Sequence, residues 1–176
     1  MDRGLRPFPL PRPTDRIPGM RNPPKDTRVL IAPEPVSLAP GQRLARGVCR
    51  ALATLDFATL EEVTPEPGLR VDVMALGASG EIWVVECKSS LADFRADRKW
   101  QTYLPWCDRF FWAVPGDFPV ECLPQDTGLI LADDFDAEIV RSAPPCRLAA
   151  ARRRALTLRF ARAAAYRHQH LRDPQN

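Results

Sequence analysis

The run Glu81-Ile82-Trp83-Val84-Val85-Glu86-Cys87-Lys88 constrains the fold more than any other segment of the chain. Its β-branched and aromatic residues make it a strand, and it is apolar enough to lie at the centre of a sheet. Side chains alternate across a strand, so Glu86 and Lys88 share a face with Ile82 and Val84. A carboxylate and an ammonium on the inner part of a central strand are costly unless they are paired or bind a cation.

The neighbouring segments supply partners for those charges. Gly41–Leu55 reads as a first helix, with Leu44, Val48, Leu52 and Leu55 at helical spacing. Phe57–Val63 is a first strand, ended by the turn chemistry of Thr64-Pro65-Glu66-Pro67-Gly68. Arg70–Leu76 is a second strand, and Gly77-Ala78-Ser79-Gly80 turns the chain into the third, Glu81–Lys88. Leu91–Cys107 is expected to be largely helical, broken near Asp93 and interrupted by Pro105, with Ser89 or Ser90 capping its start. Arg109–Val114, Thr127–Ala132 and Ala137–Val140 are further strands, and a long helix is expected from about Arg147 to His170, leaving 171–176 as a tail. The fold class is therefore α/β, a mixed central sheet flanked by helices.

A hairpin pairing residue 76 with 82 across a five-residue loop sets Asp72 directly opposite Glu86. Opposed Cβ atoms lie about 5 Å apart. Two carboxylates that close repel unless one is protonated or a metal bridges them. Mg²⁺ or Mn²⁺, cations that prefer hard oxygen ligands, remove the conflict. A four-residue loop would instead turn Asp72 to the wrong face. By the same logic a loop at 65–69 pairs Glu62 with Asp72 and adds it to the catalytic face, with Glu61 taking its place if that register shifts. The Cys87 carbonyl lies between Glu86 and Lys88 and offers a further metal ligand. Such a site suits phosphodiester hydrolysis, with Lys88 orienting or deprotonating the attacking water and stabilising charge. A structural ion pair of Lys88 with Asp72 or Glu86 is the alternative reading.

Composition limits the other possibilities. The five cysteines form no CxxC pair and His occurs only at 168 and 170, so a zinc site is not expected; the thiols read as buried and free, in a reducing cytoplasm. No run of ~18 apolar residues is present to span a membrane, and no apolar segment near Met1 marks a secretory signal. Ten of the 19 prolines fall in residues 1–40, so 1–27 is read as a disordered or extended tail and 28–37 as an arm on a domain spanning 28–170. From Arg141 onward nine arginines meet one acid, Asp173, while the body is mildly acidic. That asymmetry fits a polyanion held beside a carboxylate site. Arg152, Arg153, Arg154 and Arg159 are candidates for backbone grip, as are Arg98 and Lys99 near the reactive centre, whereas Trp100 is expected to pack inward.

Asp72 with Glu86-Cys87-Lys88 resembles the core of the PD-(D/E)xK nucleases, the fold shared by restriction endonucleases and recombination nucleases. That resemblance implies a restriction endonuclease-like order α-β-β-β-α-β, with Asp72 and Glu86 as metal ligands and Lys88 as the catalytic lysine. More narrowly, RVDVMALGASGEIWVVECKSSLADFRADRKW, YLPWCDRFFWAV, CLPQDTGLILAD and LTLRFARAAA resemble the bacterial MmcB family of DNA-repair proteins, over roughly residues 36–166. That family is associated with resistance to mitomycin C, a DNA cross-linker. The resemblance implies a metal-dependent deoxyribonuclease of the cytoplasm and nucleoid, acting on damaged or branched DNA alongside other repair proteins. Two departures stand out. Residues 41–55 lack the glutamate that many such nucleases carry in the first helix, leaving Gln42 or Glu62 to substitute. Where several nucleases of that fold carry QxxxY in the helix after ExK, this chain has Lys99 and Tyr103 at the same spacing, with a cation suited to phosphate rather than metal in place of the glutamine. A non-cleaving DNA-binding or adaptor module, and an RNA-processing nuclease, remain open alternatives.

Overall fold

The structure, a computed structural model, describes residues 38–97 and 99–174. The expected tail at 1–27, the arm at 28–37 and Arg98 lie outside the described residues. Helix α1 (Pro40–Thr54) leads into the antiparallel strands β1 (Phe57–Glu66), β2 (Leu69–Gly77) and β3 (Ile82–Cys87). Helix α2 (Leu91–Ala96) and a 3-10 segment (Trp100–Trp106) cross over to β4 (Arg109–Val114), which runs parallel to β3. β5 (Gly128–Ala132) is parallel to β4, β6 (Ala137–Arg141) is antiparallel to β5, and α3 (Ala150–Arg172) follows. Among the described residues the six strands form one mixed sheet in sequence order, which puts β3 and β4 at its centre.

The alternation of apolar residues decides the layers. On one face Leu44, Val48 and Leu52 of α1 pack on Val73, Ala75, Val85 and Ile130. On the other face Tyr103, Leu156 and Phe160 cover Met74, Ile82, Val84, Phe110 and Trp112. Each such side chain, fully removed from water, contributes about 1.5–3 kcal/mol, so both layers are held chiefly by burial. α1 begins with Pro40 in its first turn, and the Gln42 Oε1 accepts the Ala39 N–H at 2.9 Å, satisfying a group the helix leaves unpaired.

Three elements differ from the sequence expectation by more than a residue at an end. β1 continues to Glu66 and turns at Pro67-Gly68, because an irregularity between Val63 and Glu66 absorbs one residue of register. The expected helix over 91–107 is two pieces: Asp97 takes an extended conformation (φ −83°, ψ 106°), its carboxylate meets Lys88, and the Lys99 N–H bonds to its Oδ1 at 2.8 Å. α3 starts at Ala150 rather than Arg147 and runs to Arg172, so 171–172 are helical rather than tail; His170 and Arg172 in its last turn suit the negative end of the helix dipole.

α3 is tied down by its arginines as well as by Leu156 and Phe160. Arg153 makes a two-pronged pair with Asp108, at 2.5 and 2.6 Å, and donates to the Gly80 carbonyl at 2.8 Å. Arg159 bonds the Thr64 carbonyl at 2.7 Å and that of Pro65. Arg152 lies 4.9 Å from the centre of the Trp106 ring.

Gly47 in α1 faces the β5–β6 turn. A Cβ there would meet the Asp133 carbonyl and lie 2.6 Å from that of Asp136. Gly→Ala in a helix normally gains up to about 1 kcal/mol. Gly47→Ala is expected to lose about 1–3 kcal/mol instead, as overpacking against rigid main chain does, seen as a lower urea midpoint with unchanged m.

Candidate functional site

The hairpin registers decide where the charges meet. Leu76 pairs with Ile82 and Val73 with Val85, a register that carries Asp72 to the place opposite Glu86. The 77–81 loop that sets it is closed by the Gly77 N–H on the Glu81 carbonyl at 2.9 Å, with Gly80 at φ 83°. On the other side Glu61 pairs with Val73 and Val63 with Val71, which places Glu62 opposite Asp72. Glu62 has φ 52°, a left-handed conformation uncommon for a residue with a side chain and typical of sites where strain is retained.

The paired Cα ladder of β2 and β3 runs only as far as Val73 and Val85, and beyond it side chains take over the main-chain groups. Asp72 N–H donates to Glu86 Oε1 at 3.3 Å, and Cys87 N–H donates to Asp72 Oδ2 at 2.9 Å. Each carboxylate is thus anchored by the main chain of the opposite strand. Lys88, just past β3, donates its N–H to the Ala113 carbonyl of β4 at 2.8 Å. Its Nζ is 2.7 Å from Asp97 Oδ2 and 3.6 Å from Glu86 Oε2, with the Trp112 ring 5.8 Å away. The Glu86 side chain is only 3% exposed and that of Lys88 9%.

Burial and the nearby Asp72 push the Glu86 carboxyl up to about 8, against the pull of Lys88. Burial raises Asp72 too, opposed by the Cys87 N–H and by Lys88. For Lys88, burial works against the charge, but the hydrogen bond it donates to Asp97 and the fields of Glu86, Asp97 and Asp72 outweigh it and raise its pKa. Lys88 is therefore a held ammonium rather than a free amine. Tyr103 donates its phenol to the Arg70 carbonyl at 3.2 Å, and burial followed by the charges of Glu86 and Asp97 keeps it protonated.

Two cavities meet at this point. One, of about 510 Å³, is lined by Asp72, Glu86, Lys88, Asp97, Lys99 and Tyr103 among others. The second, of about 300 Å³ on the α1 side, is lined by Gln42, Glu61, Glu62, Asp72, Cys87 and Lys88 among others. Asp72 and Lys88 border both. Lys99 and Tyr103 thus share a cavity with the two carboxylates. Glu62 is half exposed and pairs with Arg70 at 3.6 Å, while Glu61, on the other side of the register, is raised by burial. The Cys87 thiol packs under α1 with Val73 and Val85, leaving only its main chain for the site.

The α3 arginines 152, 153, 154 and 159 line neither cavity; Arg152, Arg153 and Arg159 bond this chain's own groups, and Arg154 is exposed. Ser90 caps α2, its Oγ accepting the Asp93 N–H at 3.2 Å. Trp100 packs on Phe110 and Trp112, with ring centres 5.7 and 6.0 Å away. The sequence reading did not assign Asp97 as the partner of Lys88. No periodicity marks it; the only signal is an acid where a helical pattern has to break. Among the described residues no group of three His, Cys, Asp or Glu side chains is placed to hold a metal ion.

The family model described as DNA repair protein MmcB-like matches residues 39–175. The chain is also similar to a solved protein of unknown function from Silicibacter pomeroyi, at 61% identity and a TM-score of 0.79, over 80% of this chain and 97% of that one. No curated protein matches.

Because the Glu86 carboxyl titrates near 8 folded against 4.5 ordinarily, the folded state binds the extra proton between those values. Stability of the metal-free protein is then expected to fall as pH rises through that window, by on the order of a few kcal/mol. Urea midpoints measured in chelator should decline more steeply for the wild type than for Glu86→Gln, in which Asp72 keeps its own burial-raised pKa; parallel curves for the two would contradict the assignment.

Proposed function

The chain belongs to the MmcB-like family of DNA repair proteins, and on that footing we propose that it is a divalent-metal-dependent nuclease hydrolysing DNA phosphodiesters at damaged or branched sites. The observation that carries this reading is the convergence of Asp72, Glu86 and Lys88, from adjacent strands and the strand end, on one cavity. Buried charges brought together in a cleft with strongly shifted pKa values are the usual mark of a reactive centre.

The donor set fits Mg²⁺ or Mn²⁺. Mg²⁺ is commonly held by one or two carboxylates, with water and substrate oxygens completing its shell, so Asp72 and Glu86, with the Cys87 carbonyl, are sufficient without a third acid. Burial and, after it, the nearby Asp72 raise the Glu86 pKa, and a cation beside the two acids would offset both effects. When bound, the ion polarises a phosphoryl oxygen and acidifies water. The rest falls to the chain itself. Lys88, fixed as an ammonium by Asp97, stabilises the charge that develops on the phosphate, a role its raised pKa favours over that of a general base. Lys99 and Arg70, on the wall of the same cavity, meet the flanking phosphates, and the neutral Tyr103 closes its floor. Asp97 acts as a positioning residue through Lys88. The chemistry is that of the PD-(D/E)xK nucleases, which the hairpin geometry also resembles.

A non-cleaving DNA-binding module is the second reading. It is favoured by Gln42, which stands where a helix glutamate is often found and uses its Oε1 on the Ala39 N–H. Among the described residues no helix is long and apolar enough to cross a membrane. The cytoplasm and its nucleoid belong to the proposal because the proposed substrate is DNA.

Purified protein with Mn²⁺ is expected to cut flapped, branched or cross-linked DNA, and Asp72→Asn or Lys88→Ala to lower the rate by about 10²-fold or more. Mn²⁺ titration by calorimetry should show binding to the wild type and its loss in Asp72→Asn. Salt-sensitive DNA binding that is indifferent to metal and to Asp72→Asn, with no cleavage, would decide for the binding module. Asp97→Asn is expected to reduce turnover by about tenfold while leaving substrate binding intact, since it loosens Lys88 without removing it.

A further inference from the structure

Two of the cysteines that are scattered through the sequence come together on the face of the sheet opposite α1. Cys107 follows the 3-10 segment and is fully buried, with its Sγ 3.7 Å from the Tyr103 carbonyl. Cys146 lies on the connector between β6 and α3 and packs against the same apolar cluster. The Cys146 N–H donates to the carbonyl of Asp108, the neighbour of Cys107, at 2.6 Å, which holds the two main chains side by side. The two thiols share a hydrogen bond, and both are unoxidised.

Their surroundings differ. Cys146 is partly exposed and borders an open cavity of about 350 Å³, with Asp108, Arg109 and Arg153 also on its wall. The hydrogen bond from Cys107 favours its thiolate, as do the Phe110 N–H and the Arg109 charge, against burial and Asp108. The same hydrogen bond, then burial, holds Cys107 as a thiol. A reachable sulfur with thiolate character beside a buried second thiol is the arrangement of a reacting and a resolving cysteine.

We propose that Cys107 and Cys146 form an oxidisable dithiol that closes to an intramolecular disulfide when the protein meets a peroxide. The Cys146 thiolate attacks a peroxide oxygen; the S–O bond forms, the O–O bond breaks, and the departing hydroxide takes up a proton to leave as water. The sulfur is oxidised to a sulfenic acid and the peroxide reduced. Cys107 then attacks the Cys146 sulfur; the S–S bond forms, the S–O bond breaks, and the hydroxide leaves with the Cys107 proton as a second water. In a reducing compartment such a bond is transient and reports oxidant rather than holding the fold. It fastens the connector that leads into α3 to the start of β4, next to the Asp108–Arg153 pair that already anchors that helix. This device does not depend on the nucleic-acid reading.

The test uses the full, fully reduced chain exposed to hydrogen peroxide, alkylated and mapped by mass spectrometry without reductant. The expected result is a Cys107–Cys146 linked peptide, an intact mass lower by two hydrogens, no covalent dimer, and reversal by a dithiol reductant. Recovery of both as free thiols under peroxide that oxidises the exposed Cys122, or linkage of Cys146 mainly to Cys122 or to a second chain, would overturn it. A dimedone probe gives an independent readout: strong labelling of Cys146 in Cys107→Ser and little in the wild type supports the resolving role, and equal labelling in the two refutes it. Should Cys107→Ser fail to fold, the wild-type map alone decides.

Discussion

At the end of the central hairpin, two carboxylates each accept a main-chain N–H from the opposite strand, Asp72 from Cys87 and Glu86 from Asp72. This exchange replaces the next rung of the β2–β3 ladder and keeps the strands together where two acids would otherwise force them apart. Lys88 depends on it, because its side chain starts from the end of the same strand and reaches back to Glu86. Asp97 depends on Lys88 in turn, leaving the helix after Ala96 to meet the ammonium. The end of α2 thus coincides with the ion pair that Asp97 makes at the strand end.

The arrangement stores an imbalance. The buried Glu86 and the half-buried Asp72 face one held ammonium on the cavity side, with Asp97 adding a third negative group to the same lysine. An apolar core tolerates such a site only if protons or cations make up the difference. The raised Glu86 pKa is the protonic answer, and a hard cation is the alternative on which the proposed nuclease rests. Part of the charge of the basic α3 serves the fold itself: Arg153 and Arg159 brace Asp108 and the end of β1.

How far the sequence was legible can be traced residue by residue. The apolar run at 82–87, the period-2 strands around it and the Gly-bounded turn between them made the sheet legible, whereas the meeting of Asp72 with Glu86 hung on a loop of five residues rather than four, a choice the structure makes. The same holds for Glu62, whose register with Asp72 survives even though the turn lies at Pro67-Gly68 and not over 65–69. The irregularity between Val63 and Glu66 hid that turn, because a bulge adds a residue without altering composition.

Local periodicity, turn chemistry and the rule that side chains alternate along a strand were enough to determine the layers, the order of elements and the three charged residues at the hairpin end. These are short-range properties, and each is written in a window of a few residues. Only the tertiary structure decided that Asp97 would hold Lys88, that Arg153 would close on Asp108 and that Cys107 would face Cys146. Those pairs join segments whose separation along the chain carries no pattern, and a charge or a thiol has no means of naming its partner until packing has fixed the distance between them.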